Sequence, residues 1–408
     1  MNSGLNKVYD AVVIGAGPAG SSFAYHASRA GLSVLLVEKQ REVAHTILCA
    51  EGVSSEFLKL LGEERFTRNF VASYVYGGIL THNGKKIAEV SFSEPVGAVL
   101  ERKIFDRYLV ERAVVAGSDI KVNTRFIGAE RKEEGIEVHL LSGGREIRLT
   151  THLIVGADGP ASGVAKSLGL FSPYNRNYDF FTTQIYAYCE DIRDNYLYFG
   201  VGEKVAPLGY GWIFPKGGGF ANIGVGIPGK RENLEEYLNT FLQKHCRTIK
   251  ILGITHGVVP TGFHKRKIFG DNVLILGDAA RLADPLTGGG IANAYISGMV
   301  AAKAAEKAKK EGDFSEKVLK AYWKELKKWI FPDYMVTLYA KNFYHSLSPE
   351  ELEELLYSIK DIVGKVKVTP PVSPLGALLK IIKKDPALLF RFGSKGFYAA
   401  KESLREFI

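Results

Sequence analysis

The stretch Tyr9-Asp10-Ala11-Val12-Val13-Ile14-Gly15-Ala16-Gly17-Pro18-Ala19-Gly20 decides the fold. Its apolar run Ala11–Ile14 reads as a buried parallel strand, and Ser21 to Ala30 carries helix-forming residues. Between them Gly15, Gly17 and Gly20 stand at G-x-G-x-x-G spacing. Gly15 permits a tight turn, Gly17 lets the backbone approach a pyrophosphate, and Gly20 lets helix and strand pack closely, so that the helix N-terminus faces phosphate charge. Val34 to Val37 forms the next strand, and Glu38 follows it, where a carboxylate takes both hydroxyls of a ribose. Strand, turn, helix, strand and acid in that order make a dinucleotide cradle.

Outward from the cradle, 408 residues suffice for two or three domains with a large core. The composition is 46% hydrophobic with a mean hydropathy of −0.01, yet no apolar run reaches the roughly 18 residues of a membrane span. No basic-then-apolar signal pattern precedes Gly15, which points to a cytoplasmic protein. The net charge of +9 is concentrated late: residues 300–408 hold 20 Lys and Arg against 14 Asp and Glu. Such a tail suits an anionic lipid surface or an acidic partner, and equally a set of solvated helix faces. No nucleic-acid recognition motif accompanies the charge. Cys49, Cys189 and Cys246 are odd in number and widely spaced, which argues for reduced thiols and neither a disulfide framework nor a metal site.

Along the chain, the loop His45 to Ser54 follows the second strand, near where a cofactor extends past its pyrophosphate. Cys49 in it reads either as a functional thiol or as a small apolar plug. Tyr74 to Ile79 and Lys86 to Phe92 read as antiparallel strands joined through an Asn83-Gly84 turn. An amphipathic helix from Leu100 to Ala113 carries Arg102 at its mouth, where a guanidinium holds a flavin edge or a phosphate, or simply faces solvent. Asp119–Val122, Thr151–Gly156 and Asp271–Leu276 are further sheet strands; the last two lead into Asp158-Gly159 and Gly277-Asp278, acids at the carboxyl ends where α/β sheets place ligands. Amides at the start of the small-residue helix after Gly288-Gly289-Gly290-Ile291 can face a flavin's pyrimidine edge. From Gly209 to Gly226, two strands around a glycine-rich turn alternate large rings with glycine, which opens one sheet face for a long apolar object. Beyond Lys310 the chain reads as helical and basic; the Leu379–Lys384 segment suits a membrane surface or a packed helical cap.

Gly15 to Gly20, Asp158-Gly159 and Gly277-Asp278 with Pro285 and Gly288 resemble the FAD-binding pattern of the p-hydroxybenzoate hydroxylase-like flavoproteins. Within residues 8 to 305, Cys49-Ala50-Glu51-Gly52, Tyr210-x-Trp212-x-Phe214-Pro215-Lys216-Gly217 and Asn222-x-Gly224-x-Gly226 resemble the geranylgeranyl reductase family, most closely its archaeal digeranylgeranylglycerophospholipid reductases. Where that family often has Arg before the cysteine, this chain has Leu48. The resemblance implies an α/β fold: a Rossmann-type FAD domain (1–72, 96–170 and 265–308), an antiparallel substrate domain (73–95 and 171–264) and a helical C-terminal region (309–408). It implies FAD as cofactor, held by the cradle residues Gly15, Ala16, Gly17, Gly20 and Glu38, by Cys49, Ala50, Gly52 and Arg102, and by Asp278, Gly288, Gly290 and Ile291. It implies an isoprenoid channel lined by Tyr210, Trp212, Phe214, Pro215, Gly217 and Asn222, with Cys49 as a catalytic candidate.

The expected reaction is saturation of C=C bonds in geranylgeranyl chains of archaeal-type ether lipids or their precursors. With no second G-x-G-x-x-G after a strand, electrons would come from a reduced ferredoxin-like protein or transiently bound NAD(P)H. Contact with the inner face of a membrane is expected from the lipid substrate. Two other readings share the scaffold: a flavin monooxygenase or halogenase, against which stands the missing Trp-x-Trp-x-Ile-Pro element, and a flavin-bound lipid carrier without turnover.

Overall fold

The computed structural model describes residues 8–45, 47–62, 70–171, 179–229, 233–262, 267–363 and 393–405. The Leu379–Lys384 segment lies outside these residues. Three sheets organise the chain. In the first, Val273–Ile275, Arg145–Gly156, Tyr9–Ile14, Val34–Val37 and Asp119–Lys121 run parallel in that spatial order. Val and Leu dominate these strands because they are buried in a core shared by helices Pro18–Arg29 and Ile291–Glu311 and by the antiparallel strands Thr124–Lys132 and Gly135–Ser142, which supply Ala129, Ile136, Val138 and Leu140. Helix Pro18–Arg29 packs on helix Ile291–Glu311 so closely that a Cβ on Gly298 would stand 2.3 Å from the Ala19 carbonyl oxygen. Gly15 turns the chain at φ +104°, and a Cβ on Gly20 would meet the Gly15 carbonyl oxygen at 1.9 Å, which fixes small residues at both positions.

The second sheet has seven strands, and hydrogen bonding runs through Ile249–Pro260, Asp179–Cys189, Phe220–Pro228, Ala206–Gly217, Tyr196–Gly202, Gly77–His82 and Lys85–Ser91. Only Tyr196–Gly202 and Gly77–His82 pair in parallel among these neighbours. A third sheet of three strands, Gly52–Ser54, Gly97–Leu100 and Val71–Val75, brackets Gly77–His82 and Lys85–Ser91 of the second sheet in sequence and contacts the strand Ala206–Gly217. The reading of Tyr74 to Ile79 as one strand is corrected here: the chain changes sheets at Tyr76. A Cβ on Gly77 would stand 2.3 Å from the Val90 carbonyl oxygen and 2.4 Å from the Tyr196 ring, so the crossing needs a bare backbone.

The expectation of three reduced thiols is also corrected, because Cys189 and Cys246 form a disulfide with Cα atoms 5.7 Å apart. Cys189 ends a strand paired with Ile249, and Cys246 caps helix Leu234–His245, which lies on the back of that same sheet. Sequence separation hid the pair; the register of the edge strand creates it. Helices Glu316–Ser346, Pro349–Val363 and Gly393–Arg405 complete the described chain. No helix among the described residues is long and apolar enough to cross a membrane.

Candidate functional site

A cleft of about 310 Å³ opens between the parallel sheet and the seven-stranded sheet. Its floor begins at Gly17, where nothing lies within 4 Å of the position a Cβ would take. Helix Pro18–Arg29 starts there with no side-chain cap and no acid in its first turn. A second helix, Ile291–Glu311, also starts at the cleft without a side-chain cap or a first-turn acid, after Gly288, Gly289 and Gly290. Two uncapped amide ends thus point partial positive charge into one space, which suits an anionic, elongated ligand. Glu38 stands behind the cradle: its carboxylate accepts from Ala16 N at 3.1 Å and from Gln40 N at 2.9 Å.

The two Gly-Asp strand ends part company. Asp158 accepts from Gly163 N at 2.7 Å and Val164 N at 3.1 Å, and so serves helix Gly163–Ser167 as a cap. Asp278 instead borders the cleft, and burial pushes its carboxyl above the usual range, with Arg102 and Arg281 opposing the shift. Arg102 does not face open solvent: it forms a bidentate pair with Asp106, both contacts 2.7 Å, in a largely buried setting at the cleft wall.

The Cys49 loop lines the opposite side of the cleft together with Ala50, Gly52 and Arg102. Burial pushes the Cys49 thiol up; Arg102 and the Glu51 amide, which donates to Sγ at 3.2 Å, pull it back, and the Glu51 charge adds to the rise. The loop is pinned from the substrate sheet. Gln184 Nε2 donates to the Cys49 carbonyl at 3.0 Å, and Asn222 Nδ2 to the Ala50 carbonyl at 3.2 Å. Trp212 Nε1 in turn holds Gln184 Oε1 at 3.0 Å. A Cβ on Gly52 would fall 2.6 Å from the Phe214 ring, so the loop meets the hairpin in direct contact.

On the hairpin, Tyr210, Trp212 and Phe214 stand opposite Gly226, Gly224 and Asn222 in register. A Cβ on Gly224 would lie 2.3 Å from Trp212 Cζ2, which is why glycine alternates with the rings. Tyr210, Trp212 and Phe214 line the cleft, whereas Pro215, Gly217 and Asn222 do not; Asn222 serves the cysteine loop instead. Gly15, Ala16, Gly20 and Glu38 support the cleft from behind without lining it. The sequence reading did not single out Gln184, Lys216 and Glu51 as site residues. Lys216 alone carried a local signal, a charged side chain near the end of a strand that is otherwise apolar or glycine.

Helix Glu316–Ser346 fastens both walls. Thr337 Oγ1 donates to Asp284 Oδ2 at 2.6 Å, and Asp284 Oδ1 accepts from the amides of Leu286 at 3.1 Å and Thr287 at 2.7 Å. Tyr344 Oη donates to the Gly209 carbonyl at 3.1 Å and His345 Nε2 lies 2.9 Å from that of Leu208.

An FAD binding domain model matches residues 8–196, and a geranylgeranyl reductase catalytic domain model matches residues 180–259. The digeranylgeranylglycerophospholipid reductase of Methanosarcina acetivorans is 38% identical over 406 residues, 96% of this chain and 98% of that one. The chain belongs to the geranylgeranyl reductase family. A second relative of this reductase, from Methanocaldococcus jannaschii and of the same name as the first, is 35% identical and covers 95% of this chain and 98% of its own. Among solved structures, a geranylgeranyl bacteriochlorophyll reductase-like protein from Thermoplasma acidophilum superposes with a TM-score of 0.87 at 30% identity, covering 95% and 99% of the two chains. The flavin-dependent brominase Bmp2, at 18% identity and a TM-score of 0.65, shares the fold, with 93% and 100% of the chains covered. The reductase uses FAD, and the open face at Gly17, the two uncapped helix ends and the acid at Glu38 fit that cofactor.

Proposed function

We propose that this reductase saturates C=C bonds in the geranylgeranyl chains of archaeal-type ether lipids or their precursors. The observation that carries the proposal is the row of Tyr210, Trp212 and Phe214 facing a glycine-relieved cleft whose other wall holds Cys49. When bound and reduced, FAD supplies a hydride to one alkene carbon. The chain's own groups do the rest. Gly17, Gly288, Gly290 and Ile291 present backbone amides to the cofactor, and Ala50, Gly52, Arg102 and Asp278 shape its flavin end. An isolated alkene offers no carbonyl to polarise, so the walls act mainly by placing it and excluding water. Ring faces of Tyr210, Trp212 and Phe214 stabilise the positive charge that builds on the hydride-accepting carbon as its neighbour is protonated. Cys49, kept as a thiol by burial, gives its proton to the neighbouring carbon, the one that does not take the hydride, and the resulting thiolate takes one back from water.

The electron donor in this reading is a reduced ferredoxin-like protein or NAD(P)H. The lipid reaches the cleft from the inner face of a membrane with which the protein makes peripheral contact. Supporting that contact, Leu48 at the cleft and Ile251, Leu252 and Ile254 on the neighbouring edge strand are more than half exposed. The experiment supplies digeranylgeranylglycerophospholipid to the dithionite-reduced holoenzyme and follows lipid mass. A gain of two mass units per double bond is expected; NADPH-driven oxygen uptake with unchanged lipid mass refutes the reading.

A further inference from the structure

Glu51 adopts φ +73°, a conformation costly for a side chain with a Cβ, and it is buried to 4% exposure. Strain and burial of a carboxylate persist only where neighbours over-determine them. Here they do: Oε1 accepts from Arg102 N at 3.2 Å, and Oε2 accepts from Asn222 Nδ2 at 2.7 Å and from Lys216 Nζ at 2.5 Å. Lys216, equally buried, also meets Glu101 at 2.8 Å. The strained backbone aims the two peptide groups of Glu51 at different partners: its carbonyl accepts from Leu100 N at 2.8 Å, and its N–H points at Cys49 Sγ.

We propose that Glu51 is the positioning residue of the Cys49 thiol, and that Lys216 and Asn222 transmit the seating of the substrate hairpin to it. The carboxylate anchors the turn so that its amide aims at sulfur, and its charge sets how readily the thiol ionises. Arg102 with its partner Asp106, Tyr210 from the hairpin, and Asp278 from the turn opposite are the other ionisable groups facing this corner. Burial pulls the Lys216 ammonium down, but Glu51 and Glu101 outweigh it, so it stands above the ordinary lysine value and remains a cation. The arrangement places one negative and one positive charge in series behind the thiol. Changing either should therefore move Cys49 in opposite directions. The inference rests on the proposed role of Cys49, but its test does not.

With Cys189 and Cys246 in a disulfide, Cys49 is the free cysteine, so alkylation of the FAD-loaded protein by iodoacetamide reads this thiol alone. Glu51→Gln removes the negative charge and is expected to speed alkylation at pH 8 about threefold, with a lower midpoint in its pH profile. Lys216→Gln removes the positive charge while Arg102 N and Asn222 still hold Glu51, and is expected to slow alkylation about threefold with a higher midpoint. A loop merely loosened by either change would react faster in both. Equal rates, or acceleration in both variants, overturn the proposal. If Glu51→Gln does not fold, Lys216→Gln decides: slowing supports the proposal, and an unchanged or faster rate refutes it. Cys49→Ala turnover separately tests the reading beneath it, since full lipid reduction there removes the proton role and leaves the alkylation result standing.

Discussion

The seven-stranded sheet has two faces drawn from the same strands, and they are built on different principles. On the back, Ile185, Ile213, Ile223 and Val225 meet Leu238 and Phe241 of helix Leu234–His245 in a dry cluster closed by the disulfide. On the front, the alternate residues Gln184 and Asn222 carry hydrogen bonds to the cysteine loop, Trp212 holds Gln184 in turn, and glycines replace the side chains that would fill the space. One residue of register separates a stability device from a working surface. Substitutions on the back should therefore move stability and spare chemistry, and those on the front should do the reverse.

The sharpest break of this division would come from Phe241→Ala. Its ring is fully buried and sits where a Cβ on Gly200 or Gly211 would fall 2.5 or 2.9 Å away, so the cavity cannot easily collapse. A loss of about 3–5 kcal/mol is expected in denaturant unfolding, with kcat unchanged wherever the protein is folded. Removing the disulfide as Cys189→Ala with Cys246→Ala should cost about 2–4 kcal/mol in the same measurement and leave lipid reduction intact. A change in kcat in either variant would mean that the back face shapes the site. On the front, Cys49→Ala should retain FAD by absorbance and unfold at an unchanged temperature while turnover falls about a hundredfold or more, the usual contribution of a placed proton donor. Smallest is Gly226→Ala, whose Cβ would stand 3.2 Å from Thr182 and 3.5 Å from Trp212. Because the Thr182 methyl must give by only a few tenths of an ångström while the new methyl narrows the cleft beside Trp212, KM for the lipid should rise a few-fold at about 1 kcal/mol, and stability should hold.

The cradle was legible because its glycines answer to contacts only a few residues or one strand away, as with Gly20 against Gly15. The hairpin was legible because period-two alternation of rings and glycines is local. The two Gly-Asp strand ends looked alike in sequence and differ in space: the helix that follows Asp158 begins within five residues and takes its carboxylate, whereas Asp278 enters a short 3-10 turn and keeps its carboxyl for the cleft. The disulfide and the Glu51, Lys216 and Gln184 network were not legible, since each joins segments separated by 57 to 165 positions. Lys216 reads as a surface lysine until the register of Ala206–Gly217 turns it onto Glu51. Arg102 likewise has its partner one helical turn on, at Asp106, a pairing that spacing permits but does not demand.

The helix Glu316–Ser346 ties the Asp284 loop through Thr337 and the start of the hairpin through Tyr344 and His345. Synthesis reaches those three residues after both walls have left the ribosome. The strands of both sheets can pair beforehand, and Gln184, Asn222 and Tyr210 join the walls directly, so the long helix adds a further fastening when its last turns dock. Order of emergence thus sets the sequence of fastening: a nascent chain lacking residues 337–345 has the direct bonds between the walls but not those of Thr337, Tyr344 and His345, which come last.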